Sequence, residues 1–165
     1  HDALPISIEG DCAGLAATIA LLCDITVMSE DARIGDSHVN KVGLVAGDGG
    51  TVIWPLLVGV NKAKECLMLG RLLKGREAER IGLVNHSLPK AEVLPLARKL
   101  AQELADGPVW ATRWTKLSVN QIVKQRVNQL LEASMALEQV TFETADHKEA
   151  TRAFKEKRKP KFGGT

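Results

Sequence analysis

The sequence contains no tyrosine, and its other aromatic residues are few: three phenylalanines and three tryptophans among 165 residues. Planar side chains that stack on nucleic-acid bases are therefore scarce. Opposite charges nearly cancel, since 22 lysines and arginines stand against 20 aspartates and glutamates. Because no strong positive field attracts a polyanion, we expect no nucleic-acid partner.

Cysteine is also scarce. The three cysteines, Cys12, Cys23 and Cys66, form no C-x-x-C pair and lie in apolar surroundings. This pattern is typical of reduced thiols in a reducing compartment. No apolar run approaches the roughly 20 residues of a membrane span, and the first residues show no signal-peptide pattern. We therefore expect a cytoplasmic protein that does not contact a membrane.

The first part of the chain alternates short segments of two kinds. "PISIE", residues 5–9, alternates isoleucine with polar neighbours, and "DITVMS", residues 24–29, is rich in β-branched residues, so both predict strands. Between them, "GLAATIALLC", residues 14–23, is small and apolar on nearly every face, which predicts a helix buried on all sides. Strand, helix and strand in succession predict an α/β fold.

Glycine and proline divide the next segment. "TVIWPLLVGVNKAKECLMLG" has a helical period interrupted by Pro55 and Gly59, which predicts two short helices that end at Gly70. "GREAERIG" predicts a short helix that ends at Gly82, and "LVNHSL" predicts a strand after it.

Two longer helices are predicted in the second part of the chain. Apolar residues recur at helical spacing over residues 93–104, and "DGP" at residues 106–108 ends that helix. The same spacing recurs over residues 123–135. The tail, "HKEATRAFKEKRKPKFGGT", begins as a helix and becomes basic and then glycine-rich. We interpret Trp54, Trp110 and Trp114 as core or interface residues.

Polar residues cluster in the glycine-rich stretch "RIGDSHVNKVGLVAGDGG". It lacks the lysine of a P-loop and the glycine spacing of a dinucleotide-binding turn, so its glycines indicate close backbone approach before a helix. Asp36, His38 and Asp48 are its candidate functional side chains. One histidine and two aspartates in a loop are weak evidence for a metal site, and we expect none. We interpret His86 and His147 as structural or solvent-facing.

Several phrases together resemble one family. "EGDCAGLAATIALLCDITVMSEDARIG", "VGLVAGDGG", "GREAERIGLVN" and the terminal "AFKEKR" are similar to the crotonase superfamily, the enoyl-CoA hydratases and isomerases. The resemblance covers nearly the whole chain and corresponds to the second half of a family member. Since the chain opens with His1 rather than methionine, we expect the first half to lie upstream.

The resemblance implies a specific α/β architecture. Residues 1–90 would form the second half of a crotonase-like ββα spiral core, and residues 91–165 a helical C-terminal trimerisation region. The protein would then be a homotrimer or a hexamer. The resemblance also implies an acyl-CoA thioester substrate and no cofactor, because the substrate itself carries the CoA.

Family members stabilise an enolate oxygen with two backbone N–H donors. The resemblance places one donor at the Leu15 amide, with Gly14 forming the turn before it, although Leu15 adds a branched side chain where small residues are usual. A plain buried helix is the alternative interpretation of this segment.

Hydratases of this family use two glutamates for acid–base work. At the matching positions this chain has Thr18 and, depending on register, His38 or Val39, because one extra residue, Asn40 or Lys41, follows. His38 and Asp48 are then the candidate catalytic side chains. A structural role for His38 and helix capping by Asp48 are the alternatives, and capping is favoured for Asp48.

The tail matches the region that contacts the adenine and phosphate end of CoA, with Phe154 and Lys157 at the matching positions. A solvated helix face is the alternative. Three functions remain open: an acyl-CoA enzyme of the hydratase/isomerase type without the two glutamates; a related thioester hydrolase, dehalogenase or decarboxylase; and a silent subunit that keeps oligomerisation and weak CoA binding.

Overall fold

The computed structural model describes residues 4–164, and within that range short strands and helices alternate as far as residue 88 before helices alone follow. The strands are β1 (Pro5–Ile8), β2 (Cys12–Ala13), β3 (Ile25–Ser29), β4 (Arg33–Gly35), β5 (Leu72–Lys74) and β6 (His86–Leu88). The α-helices are α1 (Leu15–Leu21), α2 (Gly50–Val58), α3 (Val60–Leu69), α4 (Gly75–Arg80), α5 (Lys90–Asp106), α6 (Val109–Phe142) and α7 (Ala145–Lys155). A π-helical turn, His38–Val42, follows β4.

The described strands form two three-stranded sheets. In the first, β3 lies between β1 and β6 and is parallel to both, with Ile8 paired to Met28 and His86 to Val27. In the second, β4 is parallel to β2 and antiparallel to β5. Parallel neighbours need crossover connections, which here contain helices. The predicted α/β class is confirmed.

The hydrophobic core draws on both sheets and on helices α1 to α4. Trp54 of α2 is fully buried in it, as predicted, and the core extends from Ile8 to Val84. Helices α2 and α3 separate at Gly59, but Pro55 lies inside α2 and does not interrupt it. A proline removes only one helical hydrogen bond, and burial of the surrounding apolar residues outweighs that loss.

Two predictions about residues 5–88 went too far: the burial of helix α1 on all sides and the length of the strand before α5. Helix α1 is buried on one side only: Ala17 and Leu21 are buried, whereas Leu15 and Ile19 are 53% and 56% exposed. The strand predicted over "LVNHSL" is limited to β6. The residue Leu83 before it donates its N–H to Ala78 at the end of α4 and so does not pair with a strand.

The second part of the chain is helical, as predicted. Helix α5 ends at Asp106, and its Val93 and Ala97 pack beside Val27 of the first sheet. Helix α6 is much longer than the predicted 123–135, because no glycine or proline interrupts the chain between residues 109 and 142. The boundary at residue 90 between the spiral core and the helical C-terminal region stays a prediction.

Helix α6 carries the two remaining tryptophans on its surface. Trp110 and Trp114 are each 61% exposed, and their ring centroids lie 5.6 Å apart. A core position is therefore wrong for both, and an interface position stays a prediction. Among residues 4–164, no helix combines the length and the apolar character needed to cross a bilayer.

Candidate active site

Gly14 turns the chain into helix α1. Its φ of 60° and ψ of −133° belong to a region that residues with a side chain rarely adopt. The Gly14 N–H donates to the Gly35 carbonyl oxygen at 3.0 Å, which fixes the turn to the end of β4. Leu15 is the first residue of the helix, and no side chain caps it. The Leu15 N–H therefore has no acceptor within the helix.

His38 is held by Asp36, the residue that follows β4. The Asp36 side chain is 1% exposed, and its Oδ1 accepts a hydrogen bond from the His38 backbone N–H at 3.0 Å. The same oxygen lies 2.7 Å from His38 Nδ1. His38 is thus fixed both through its backbone and through its ring.

The His38 imidazole packs against the turn at Gly14. A Cβ atom on Gly14 would lie 3.2 Å from His38 Cε1. The backbone angles therefore favour glycine there, and a side chain would also press against the ring. As a result, the structure brings together two residues predicted for the site, His38 and Gly14.

The extra residue near Asn40 coincides with the π-helical turn His38–Val42. A π-turn is a helical turn widened by one residue, and such turns are frequent at functional sites. Asn40 Nδ2 donates to the Leu69 carbonyl oxygen at 2.9 Å and so joins the turn to the end of α3. The sequence left open whether His38 or Val39 matches the second family glutamate. His38 faces Gly14, whereas Val39 lines an apolar cavity of about 380 Å³ beside α3.

Asp48 lies on the other side of the His38 ring. Its Oδ2 is 3.7 Å from His38 Nε2, which is too long for a hydrogen bond. Gly49, with a φ of 112°, is the N-cap of α2, and no side chain caps that helix. The N-cap is therefore Gly49 and not Asp48, which lies one residue before it with its carboxylate facing His38. The backbone N–H of Gly50, the first residue of α2, still lowers the pKa of that carboxyl, so a capping role for Asp48 stays a prediction.

Burial and charge shift the pKa values of this cluster. The hydrogen bond to Asp36 raises the pKa of His38 above its ordinary value, against the opposing effect of burial. Burial raises the pKa of the Asp48 carboxyl, and the charge of His38 opposes that shift. A histidine whose pKa is raised binds a proton more tightly, and a hydrogen-bonded imidazole of this kind is suited to accept a proton.

Comparison with known proteins identifies the family. Residues 6–165 match the family described as enoyl-CoA hydratase/isomerase. The chain belongs to this family, and so to the crotonase superfamily. It is 32% identical over 159 residues to an enoyl-CoA isomerase/hydratase of Mycosarcoma maydis, covering 96% of this chain and 58% of that protein. It is 35% identical over 163 residues to the mitochondrial methylglutaconyl-CoA hydratase of Homo sapiens, covering 96% of this chain and 48% of that protein.

A solved structure of an enoyl-CoA hydratase from Mycobacterium avium subsp. paratuberculosis superposes with a TM-score of 0.90 at 28% identity. The match covers 98% of this chain and 65% of that one. The crotonase-like fold predicted from the sequence is therefore confirmed. The chain spans roughly half to two thirds of the length of these three proteins.

The sequence resemblance predicts that Thr18 matches the first family glutamate. Thr18 is buried, and its hydroxyl has no hydrogen-bond partner among residues 4–164. A Cβ on Gly49 would lie only 2.7 Å from Thr18 Cγ2, so α1 and the start of α2 are in close contact. A hydroxyl can donate and accept hydrogen bonds, but it is a poor general base.

The ligand atoms of Asp36, His38 and Asp48 lie within 4.8 Å of one another. Asp36 contacts Nδ1 of the ring, however, and Asp48 lies nearest to Nε2. An ion bound to Nδ1 would therefore lie away from Asp48, and an ion bound to Nε2 would lie away from Asp36. This geometry favours proton transfer over metal binding, and the expectation of no metal stays a prediction.

Glu138 of α6 is a neighbour of this cluster that the sequence did not indicate. A Cβ on Gly47 would lie 2.8 Å from Glu138 Oε2, so its carboxylate reaches the residue before Asp48. Burial raises the pKa of Glu138, and the charge of Asp48 adds to the effect. Glu138 is 100 positions from His38 in the sequence, and no local pattern marks it.

The tail residues predicted to bind CoA, Phe154 and Lys157, are exposed. Phe154 is 84% exposed on α7, and Lys157 is exposed with a left-handed φ of 54°. Arg158 is paired with Glu149 and Glu156, so part of the basic charge is neutralised. This pairing lowers the pKa of Glu149 to about 2.

The two other described histidines differ in their surroundings. His147 Nδ1 donates to the Val42 carbonyl oxygen at 2.9 Å, and the ring packs edge-on against Phe142. It thereby joins α7 to the π-helical turn, which supports a structural role. His86 begins β6 and is partly buried.

Proposed function

We propose that this chain contributes one enolate-stabilising donor and the acid–base groups of an enzyme that acts on acyl-CoA thioesters. Membership of the enoyl-CoA hydratase/isomerase family supports the class of substrate. The observation that carries the proposal is the contact between Gly14 and His38 Cε1. This contact supports the proposal because His38 would then be a proton carrier directly beside the turn that presents the Leu15 amide.

The Leu15 N–H would donate to the thioester oxygen as negative charge develops on it. Donors held in place for such an oxygen typically contribute about 2.7 to 4 kcal/mol each to transition-state stabilisation. The donor is a backbone group, so the unusual leucine does not remove it. Its exposed side chain narrows the approach of the acyl group and would limit the acyl groups that fit.

His38 Nε2 would act as the general base. It takes a proton from a carbon that becomes part of the enolate; the C–H electron pair moves into the enolate, and its oxygen accepts the Leu15 hydrogen bond. When a proton returns to a different carbon of the conjugated enolate, the carbon–carbon double bond moves along the acyl chain. Asp48, which lies next to Nε2, is the second proton carrier. No second substrate is required.

Hydration by the paired-glutamate route should be slow in this protein. General acid–base assistance typically contributes about 10² to 10⁴-fold, and neither matching position holds a glutamate. We therefore favour proton shifts within an enoyl thioester. Thioester hydrolysis is a second candidate, because a histidine between two carboxylates also activates water. Dehalogenation, decarboxylation and a silent subunit remain less favoured alternatives.

The remaining features concern CoA and assembly. Phe154 and Lys157 would contact the adenine and phosphate end of CoA, and the protein would use no other cofactor. Helix α6 and its neighbours would form a homotrimer or a hexamer, and a cytoplasmic location stays a prediction.

Enolate formation is tested by deuterium exchange at the carbon next to the thioester, measured by mass spectrometry with the protein of the complete reading frame. We expect His38→Ala to slow exchange by about 10² to 10⁴-fold. Leu15→Pro removes the amide hydrogen at a helix position that tolerates proline, and we expect a loss of about 10² to 10³-fold. Leu15→Ala keeps that hydrogen, so comparison of the two variants isolates the donor.

Parallel assays separate the alternatives. Hydration is followed as loss of the conjugated absorbance of a short enoyl-CoA, and hydrolysis as release of free thiol. Asp31→Asn, an exposed carboxylate outside the cluster, serves as the control. Rapid hydration that neither His38→Ala nor Asp48→Asn changes would show that the chemistry lies elsewhere, and absence of all three activities would favour the silent subunit.

A further inference from the structure

Asp36 is buried, and no charged side chain other than His38 contacts it within hydrogen-bond distance among the described residues. One of its oxygens, Oδ1, receives both the backbone N–H and the ring Nδ1 of His38. The two contacts share one acceptor, so displacement of the carboxylate would release the backbone and the ring of His38 together.

The second carboxylate oxygen of Asp36, Oδ2, lies close to Gly50 at the start of α2. A Cβ on Gly50 would lie 2.9 Å from Asp36 Oδ2, and this oxygen has no hydrogen-bond partner among residues 4–164. A buried carboxylate oxygen without a partner is costly, so pure stability does not explain an aspartate here. An aspartate at this position is better explained by the hydrogen bond between its Oδ1 and the His38 ring.

A carboxylate can only accept hydrogen bonds, so Nδ1 of neutral His38 must carry the ring hydrogen. The tautomer is assigned from these hydrogen-bond partners. The lone pair then lies on Nε2, on the side of Asp48, whose Oδ2 is 3.7 Å away. A histidine with the opposite tautomer would present a hydrogen there and could not accept a proton.

We propose that Asp36 is a positioning residue, which holds His38 in the Nδ1–H tautomer with the Nε2 lone pair directed toward Asp48 and the substrate. This inference rests on the proposed function for its catalytic consequence, but the tautomer itself exists without substrate. Three carboxylates surround the ring: Asp36, Asp48 from the loop before α2, and Glu138 from α6. Only Asp36 bonds to Nδ1.

The experiment uses nitrogen-15 NMR of the complete protein without substrate. His38 should show a protonated Nδ1 and an unprotonated Nε2 above its pKa. In Asp36→Asn, the amide can rotate and donate to Nδ1, so we expect a shift toward the Nε2–H tautomer and a lower His38 pKa. Asp48→Asn is the matched control, because it removes a carboxylate at the other nitrogen and should leave Nδ1 protonated.

The kinetic consequence is measured by the same deuterium exchange. Asp36→Asn should lower kcat by about 10² to 10⁴-fold with little change in KM. The limb of the pH–rate profile that reports the pKa of His38 should move to lower pH. Gly50→Ala, whose new methyl would press on Asp36 Oδ2, should alter the tautomer in the same direction by displacement alone.

The outcomes are distinguishable. An Nε2–H tautomer in the unmodified protein, or an unchanged tautomer and pKa in a folded Asp36→Asn variant, would overturn the role of Asp36. The expected tautomer shift combined with exchange that His38→Ala leaves unchanged would instead overturn the proposed function. The spectrum of the unmodified protein decides the first question even where a variant does not fold.

Discussion

The two parts of the chain bury their side chains very differently. From β1 to β6, apolar residues of both sheets and four helices meet in one core around Trp54. In the 34-residue helix α6, Ser134 alone is buried among the described residues, while Leu137 and Val140 are 60% and 66% exposed. Since helices in proteins are stabilised mainly by packing, the first part is stabilised within the chain and α6 needs an outside surface.

The largest effect we expect follows from that contrast. If neighbouring copies cover α6, the protein sediments as a trimer or hexamer, and Leu137→Lys combined with Val140→Lys should reduce it to single subunits. Two lysines on one face of the helix would place unpaired charges in an apolar interface. Sedimentation equilibrium at micromolar concentration measures the mass.

Gln139→Lys is the control for this test, since it adds a charge on the same turn at a position that is already polar and exposed. It should leave the mass unchanged. Should the unmodified protein sediment as one subunit, the exposed face of α6 would need a different explanation.

The same contrast governs how far the sequence predicts the structure. Apolar periodicity predicted α2, α3 and α5 well, because glycine or proline marks their ends. It did not predict the exposed side of α1, since small apolar residues look alike whether covered or not. The pairing of β strands was also out of reach, because it depends on contacts between distant segments.

Within the candidate site, local features were the predictable ones. Gly14 and the extra residue near Asn40 were indicated by the family resemblance, and both correspond to unusual backbone conformations. The orientation of Asp48 toward His38 was not predicted, because the turn that makes Gly49 the N-cap of α2 has no signal in the sequence. Glu138 lies far away in the sequence, so only the packing of α6 on the loop reveals it.

A smaller effect is expected at the exposed end of the proposed ligand site. Lys157 is exposed, and it forms no ion pair with a carboxylate among residues 4–164. Lys157→Glu should weaken CoA binding about tenfold at low salt and less at physiological ionic strength, where charges are screened beyond about 8 Å. Isothermal titration with free CoA measures this, with Lys99→Glu on α5 as control. Equal affinity in both variants at every salt concentration would exclude the tail from the site.

The smallest expected effect concerns how much the partly buried carboxylate of Asp48 lowers the stability of the folded protein. Burial raises the pKa of Asp48 in the folded protein, so the folded state binds this proton more tightly than the unfolded chain. A carboxyl of that kind favours folding below its unfolded pKa and loses that contribution as the pH rises through the folded value. At neutral pH the ionised Asp48, with a buried Oδ1 that has no hydrogen-bond partner among residues 4–164, therefore reduces stability.

Asp48→Asn should consequently raise the free energy of unfolding at pH 7 by about 1 kcal/mol, the size typical of single stabilising substitutions, while it impairs proton transfer. Urea denaturation at several pH values measures the difference. The gain should shrink toward acid pH for two reasons: Asp48 becomes neutral in the unmodified protein, and charged His38 loses an attractive neighbour in the variant. A variant that is less stable than the unmodified protein at pH 7 would mean that attraction to His38 outweighs burial, and the cluster would then be held together by its charges.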